Sequence, residues 1–219
     1  MAGRFFLPHL EPPPWLYAIL GRGFILRGIH RRFVGDLQDL LPPGASLLDV
    51  GTGPGFLLSQ LARSRPDVRL TGLDLSHPML RHCRRHLAGL VGAPPPRLVQ
   101  ADAQALPFPA AAFDAVLATF TLHIWPDPAR GVAEAARVLR PGGRGYVYEL
   151  RREARWPDSR AFARLAGLPA WLVHPLIRAL SPQHAVSSAE FHDLLARAGL
   201  PRWHLTPVHH LFWRLELFG

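Results

Sequence analysis

Leu47-Leu48-Asp49-Val50-Gly51-Thr52-Gly53-Pro54-Gly55 is the stretch that decides the reading of this chain. An apolar run ends in an acid and passes straight into glycines at alternate positions, which describes a strand stopping at a tight turn. Glycine lets the backbone turn closely under a ligand, and the helix that follows offers its free N–H groups at the same place. Several kinds of nucleotide cofactor sit on such a turn, and a turn with no ligand has the same pattern. The spacing G-x-G-x-G differs from the G-x-G-x-x-G that fits a dinucleotide pyrophosphate. Asp49, inside the strand end, would repel a pyrophosphate but suits an ammonium or another hydrogen-bond donor.

Working outward, strand and helix patterns alternate. Ser46–Val50 is the first strand, and the helix Gly55–Arg65 carries Phe56, Leu57, Leu61 and Ala62 near one face. Val68–Leu75 is a second strand, with Ser76 as N-cap of a helix running to about Leu90. Arg97–Ala101 and Phe113–Phe120 are further strands, the latter apolar nearly throughout, as a strand buried on both faces should be. Pro126–Leu139 reads as a helix closed by Arg140-Pro141-Gly142-Gly143, and Gly145–Leu150 as the fifth strand. Strands separated by single helices imply crossover connections and a parallel sheet.

The same alternation places acids at strand ends. Asp74 closes the second strand, where a carboxylate in a doubly wound fold accepts from ribose hydroxyls. Asp102 closes the third, where it could accept from an adenine amino group. Each taken singly could equally be a loop cap. Three acids at the ends of successive strands face one crevice, and ligands of this fold class bind in that crevice.

The series Leu47–Gly55, Leu73–Ser76, Ala101–Phe108, Phe113–Trp125 and Arg137–Gly143 resembles the class I S-adenosylmethionine-dependent methyltransferases. It is most similar to the small-molecule branch that includes ubiquinone and menaquinone biosynthesis enzymes. The resemblance covers about residues 44–150. It implies an α/β, doubly wound Rossmann-like fold: a seven-stranded, mostly parallel sheet with a terminal antiparallel strand and a helical cover. It implies S-adenosylmethionine as cofactor, with Asp49 and the Gly51, Gly53 and Gly55 backbone around its methionine part. Asp74 would take the ribose and Leu75 the adenine face, with Asp102 and Ala103 near the adenine amino group and Thr119 near the methionine through its backbone. Related enzymes often carry His-His-Trp after the fourth strand, where this chain has Leu122-His123-Ile124-Trp125. His123 follows that strand at the crevice mouth and is the candidate general base, against the alternative that it packs on Trp125 or bonds a loop carbonyl.

Outside that region the resemblance fades. Residues 1–43, with helical patterning over Trp15–Phe33, form an N-terminal cover segment ahead of a domain spanning 44–219. Within the domain, 151–186 is a mostly helical insertion broken by Pro157, Pro169, Pro175 and Pro182. Phe162, Leu165, Leu168, Trp171, Leu172, Leu176 and Leu180 give the insertion a wide apolar face, which either packs on the sheet edge or receives the acceptor. Arg151, Arg152 and Arg155 could meet an acidic group of that acceptor or be ordinary surface arginines. Ser187-Ser188-Ala189-Glu190 matches a capping box opening the helix Ala189–Ala198. Trp203–Phe218 has two β-like runs separated near Pro207–His210, as in a terminal antiparallel hairpin.

Composition bounds the rest. The 219 residues hold room for one α/β domain with a modest extra element. The single cysteine, Cys83, has no internal disulfide partner, and the chain shows neither a signal peptide nor a membrane-length apolar run, so a cytoplasmic location is expected. The formal charge of +9 invites a nucleic-acid partner. Yet the 25 basic residues are all arginine, and lysine and asparagine are both missing, which reads as codon bias from a GC-rich genome. His82 and His86 have a metal-sharing spacing on a probable helix, but Arg81, Arg84 and Arg85 around them favour a solvated basic face, so no metal is expected. The expected activity is in-line methyl transfer to a small, partly apolar molecule. The alternatives are a nucleic-acid methyltransferase and a non-catalytic cofactor-binding protein on the same fold.

Overall fold

The computed structural model describes residues 24–38, 41–90 and 94–219. Most of residues 1–43, expected from sequence to form a cover segment, including Trp15 and Pro12–Pro14, lies outside the described residues. The part within them is the helix α1 (Phe24–Gln38).

The alternation expected from sequence is what forms. In order come β1 (Ser46–Val50), α2 (Phe56–Ser64), β2 (Arg69–Asp74), α3 (His77–Leu87), β3 (Arg97–Gln100) and β4 (Phe113–Thr119). After a single 3₁₀ turn at Leu122–Ile124 follow α4 (Pro128–Arg137), β5 (Leu139–Arg151), α5 (Trp156–Ala166) and α6 (Ala170–His184). The chain closes with β6 (Ala185–Val186), α7 (Ser188–Ala198), β7 (Trp203–Val208) and β8 (Phe212–Phe218). The strands run β3-β2-β1-β4-β5-β8-β7 across one sheet, and the two-residue β6 pairs with β5, which makes eight strands. β8 is antiparallel to both β5 and β7, so the terminal hairpin sits at the sheet edge as expected.

Several local signals act as read. Ser76 caps α3 by accepting from the Met79 N–H, and Ser187 with Glu190 forms a reciprocal capping box on α7. The fifth strand begins earlier than Gly145. Leu139 already pairs with Phe113, and Pro141–Gly143 bulges out before pairing resumes at Arg144 opposite Ala115. α4 is correspondingly shorter than Pro126–Leu139.

Side chains on the central strands alternate between two cores with a period of two. Leu47, Ala115, Leu117, Tyr146 and Tyr148 pack under α1, α2 and α5. Leu48, Val50, Val116, Ala118 and Val147 pack under α4 and α7. β1 is buried along its whole length, which is why it reads as an almost unbroken apolar run.

α1 is part of the first core, not a loose preface. Phe33 is fully buried, stacked on Tyr148 with ring centroids 4.0 Å apart, and edge-on to Phe212. The Tyr148 hydroxyl donates to Asp36 Oδ2 at 3.0 Å, and His209 Nε2 lies 3.0 Å from the same oxygen. Arg32 reaches the Leu165 carbonyl at 2.6 Å, so α1 touches the helical insertion directly.

Candidate active site

Strand order reverses between β1 and β4, and at such a switch point the crossover helices leave on opposite faces and open a crevice. Register brings the C-terminal ends level there: Val50 pairs with Leu73 and Ala118, Asp74 with Gln100, and Thr119 with Tyr148. The N–H groups of Gly51 and Thr52 both donate to the Leu73 carbonyl, which folds the glycine turn over the end of β2.

Gly51, Gly53 and Gly55 all have positive φ, at 72°, 52° and 77°. At Gly51 a second constraint applies, because a Cβ there would run into the Thr121 side chain. At Gly55 it would meet Cys83 Sγ. The turn is thus pressed from below by α3 and from the side by the loop after β4. Around Gly53, no atom lies within 4 Å of where a Cβ would stand, so the turn is open on that side. Gly55 precedes α2 without a side-chain cap, leaving the first N–H groups of α2 unspent.

Asp49 is 1% exposed. Its Oδ2 accepts from the Thr52 hydroxyl at 2.7 Å, while Oδ1 is buried with no hydrogen-bond partner. Burial pushes its carboxyl up to about 7; the Thr52 bond opposes the rise and the nearby Asp74 charge adds to it. A buried carboxylate oxygen without a donor is costly, and a bound ammonium or N–H group would relieve it. Asp74 accepts from the Gly53 and Ser76 N–H groups, each at 2.8 Å, which fixes it at the rim of the turn. Leu75 beside it is 66% exposed, a large apolar side chain held in solvent at a strand end. Asp102 accepts from the Gln104 backbone and side-chain amide, Ala103 is buried against the second core, and Thr119 is half-buried at the end of β4. These residues fit the cofactor by chemistry: an orphaned acceptor for an ammonium, an acid at a strand end for ribose hydroxyls, and an apolar face for a purine.

His86 is not spent on a solvated face. Its Nδ1 lies 3.3 Å from the Pro54 carbonyl and its ring packs edge-on to Phe56, so it braces the glycine turn. Arg151 and Arg152 are spent on partners within the chain, Arg151 donating to the His210 carbonyl and lying over Trp213 and Arg152 pairing with Glu190 at 2.6 Å, while Arg155 is exposed. In the insertion, Phe162 is buried in the first core, Leu168 packs against it, and Leu165, Trp171 and Leu172 are exposed. The side chains of Leu176 and Leu180 lie outside the described residues.

His123 is buried, with both ring nitrogens engaged. Nδ1 is 2.9 Å from Glu149 Oε2, and Nε2 is 2.9 Å from His184 Nδ1. Glu149 is wholly buried and also accepts from the Leu122 N–H at 2.7 Å. Glu149 and His184 were missed in the sequence reading. Glu149 is a further acid near a strand end, which was the available signal; His184 carried none, since its partner lies 61 residues away.

The switch-point crevice, the glycine turn and the ranked acids are the arrangement expected of a class I S-adenosylmethionine-dependent methyltransferase domain. Residues 48–147 match the family model described as "Methyltransferase domain", so this part of the chain is such a domain, and S-adenosylmethionine is the cofactor of its class. The chain is 35% identical over 111 residues to the uncharacterized methyltransferase YdaC of Bacillus subtilis, covering 51% of this chain and 59% of that one. It is 32% identical over 169 residues to the ubiquinone/menaquinone biosynthesis C-methyltransferase UbiE of Geobacter sulfurreducens, covering 71% of this chain and 64% of that one. The chain therefore spans less than two thirds of either relative. A methyltransferase structure from Aquifex aeolicus superposes with a TM-score of 0.70 at 20% identity, over 94% of this chain and 98% of that one, and shares the fold. Among the described residues, no helix is long and apolar enough to cross a membrane.

Proposed function

We propose that the protein transfers a methyl group from S-adenosylmethionine to a small, partly apolar acceptor, of the quinone type suggested by the name of the ubiquinone/menaquinone biosynthesis relative. The observation that carries this reading is Asp49: a buried carboxylate with an orphaned oxygen, set beside a glycine turn that is open on its Gly53 side. Asp49 and the Gly51, Gly53 and Gly55 backbone hold the methionine part, and Asp74, Leu75, Asp102, Ala103 and Thr119 hold the adenosine and the approach to sulfur. The bound cofactor supplies a methyl group already activated by its sulfonium. The chain's own work is alignment and desolvation, where positioning alone is worth on the order of 7–11 kcal/mol. An acceptor that arrives protonated also needs a base; His123, expected from sequence in that role, has both ring nitrogens taken up by Glu149 and His184, so it can serve only through those partners.

Acceptor selection falls to residues 151–186 with the N-terminal segment 1–43. The contact between Arg32 and Leu165 supports treating the two as one cover, and the 72% exposure of Trp171 supports a surface that meets something beyond this chain's core. The test is methyl transfer from labelled cofactor to a panel of short-chain quinols, phenols and RNA oligonucleotides. Quinol labelling that falls at least tenfold in Trp171→Ala, with S-adenosylhomocysteine affinity unchanged, supports the reading. Labelling of RNA alone would contradict it, as would a collapse of cofactor affinity with acceptor preference intact.

A further inference from the structure

Glu149, His123 and His184 form a continuous hydrogen-bonded line from the fully buried end of β5 toward the surface. Its place follows from pairing. Glu149 stands one residue beyond the Thr119–Tyr148 pair that ends β4, and β6 begins at Ala185 beside Leu150, so His184 is carried alongside the end of β5. Thr121, against which Gly51 is pressed, is two residues from His123. The line therefore flanks the crevice on its β5 side.

The tautomers follow from the ends. Glu149 accepts the Leu122 N–H through one oxygen and faces His123 Nδ1 with the other, so an ionised Glu149 requires His123 to carry its proton on Nδ1. That leaves a lone pair on His123 Nε2, which must be met by a proton on His184 Nδ1. Nε2 of His184 then bears the lone pair, and it makes no hydrogen bond among the described residues. His123 has no nitrogen left to receive a proton directly, whereas His184 does.

We infer that His184 is the catalytic base toward the acceptor, with His123 and Glu149 positioning it and receiving its charge. This rests on the methyltransferase reading above. As the acceptor hydroxyl loses its proton to His184 Nε2, the Nδ1 proton of His184 passes to His123 Nε2. His123 becomes an imidazolium whose charge faces the Glu149 carboxylate, and the proton later returns to solvent through His184. Burial, followed by the repulsion expected from His123, holds His184 below the usual histidine range while Glu149 pulls the other way, so it is neutral and able to accept near pH 7. The titratable and charged groups around it among the described residues are Glu149, His123 and Arg152, whose guanidinium holds the Ala185 carbonyl and Glu190; His174, earlier on α6, is bonded to Ser159. Such a relay serves an acceptor whose reacting group arrives protonated, a phenol or quinol hydroxyl, and is idle for a carboxylate.

Nitrogen-15 NMR of the S-adenosylhomocysteine-bound protein at pH 8 reads the tautomers directly, with His123→Gln and His184→Gln assigning the signals. Protonated Nδ1 and bare Nε2 on both rings is the expected result. A proton on His184 Nε2 with bare Nδ1 would overturn the assignment whatever the activity. With a short-chain 2-prenyl-1,4-naphthoquinol as acceptor, His184→Gln should lower kcat by about 10²–10⁴-fold with cofactor affinity within twofold of wild type. Added imidazoles should restore kcat in His184→Ala in order of their basicity. A His184→Gln enzyme with full kcat across pH 6–9 would reduce the line to a structural tie. Failure of S-adenosylhomocysteine to bind at all would instead sink the methyltransferase reading.

Discussion

Asp49 is the residue whose ionisation the fold works against. Its carboxyl has an ordinary value of 3.8 and sits at about 7 in the folded protein, so between those values the native state holds a proton that the unfolded chain has lost. Stability contributed by this group is full below about pH 4 and declines as pH rises toward 7. Asp49→Asn should remove that decline. Thermal melts of the ligand-free proteins should show the variant more stable than wild type at pH 8, with the advantage shrinking by pH 5, while its cofactor affinity falls. Parallel pH profiles for the two proteins would refute the assignment. Asp49, Asp74 and Asp102 could be named as candidates from the sequence because each lies at or just past the C-terminal end of a strand pattern. The Glu149–His123–His184 line was not legible, since it joins residues 26 and 61 apart, and which residue faces which is settled only by the pairing of β5 with β6.

At the scale of elements, local chemistry carried far where caps and periodicity agreed, as at Ser76 and at Ser187 with Glu190. It failed where a turn signal lies inside a paired strand: Pro141–Gly143 reads as a loop, yet Leu139 before it is already in the sheet. It also left α1 undervalued. Glycine and arginine in that stretch dilute the helical pattern, and only packing on Tyr148 and Phe212 gives the helix its place. Phe33→Ala should cost about 3–5 kcal/mol, the usual loss for emptying a buried aromatic site. Denaturant unfolding measures this, and a loss below about 1 kcal/mol would mean that α1 is not part of the core. Burial, with the Asp36 charge adding to it, drives the Tyr148 phenol well above its ordinary range, so it stays a neutral donor to Asp36 and the tie holds through alkaline pH.

For the molecule as a whole, a single rule points to the candidate site: acids and glycines at the ends of adjacent parallel strands share a crevice where the strand order reverses. The helical segment after β5 was less legible, because short helices broken by proline can be arranged in several ways; of the arginines at its start, Arg151 and Arg152 are tied to the His210 carbonyl and Glu190, while Arg155 is exposed. The surplus of arginine, 25 basic residues against 16 acidic, keeps a nucleic-acid surface in view, but binding of that kind would weaken steeply with salt. Cofactor binding to Asp74 and the buried Asp49 should change little with salt, since these groups are screened much less than exposed ones. Isothermal calorimetry with S-adenosylhomocysteine tests the central claim most directly. The account predicts one site per chain, no heat with NAD, and Asp74→Ala weaker than wild type by about 1–3 kcal/mol as the ribose loses a charged acceptor. Tighter binding of NAD than of S-adenosylhomocysteine, or Asp74→Ala binding as well as wild type, would contradict it.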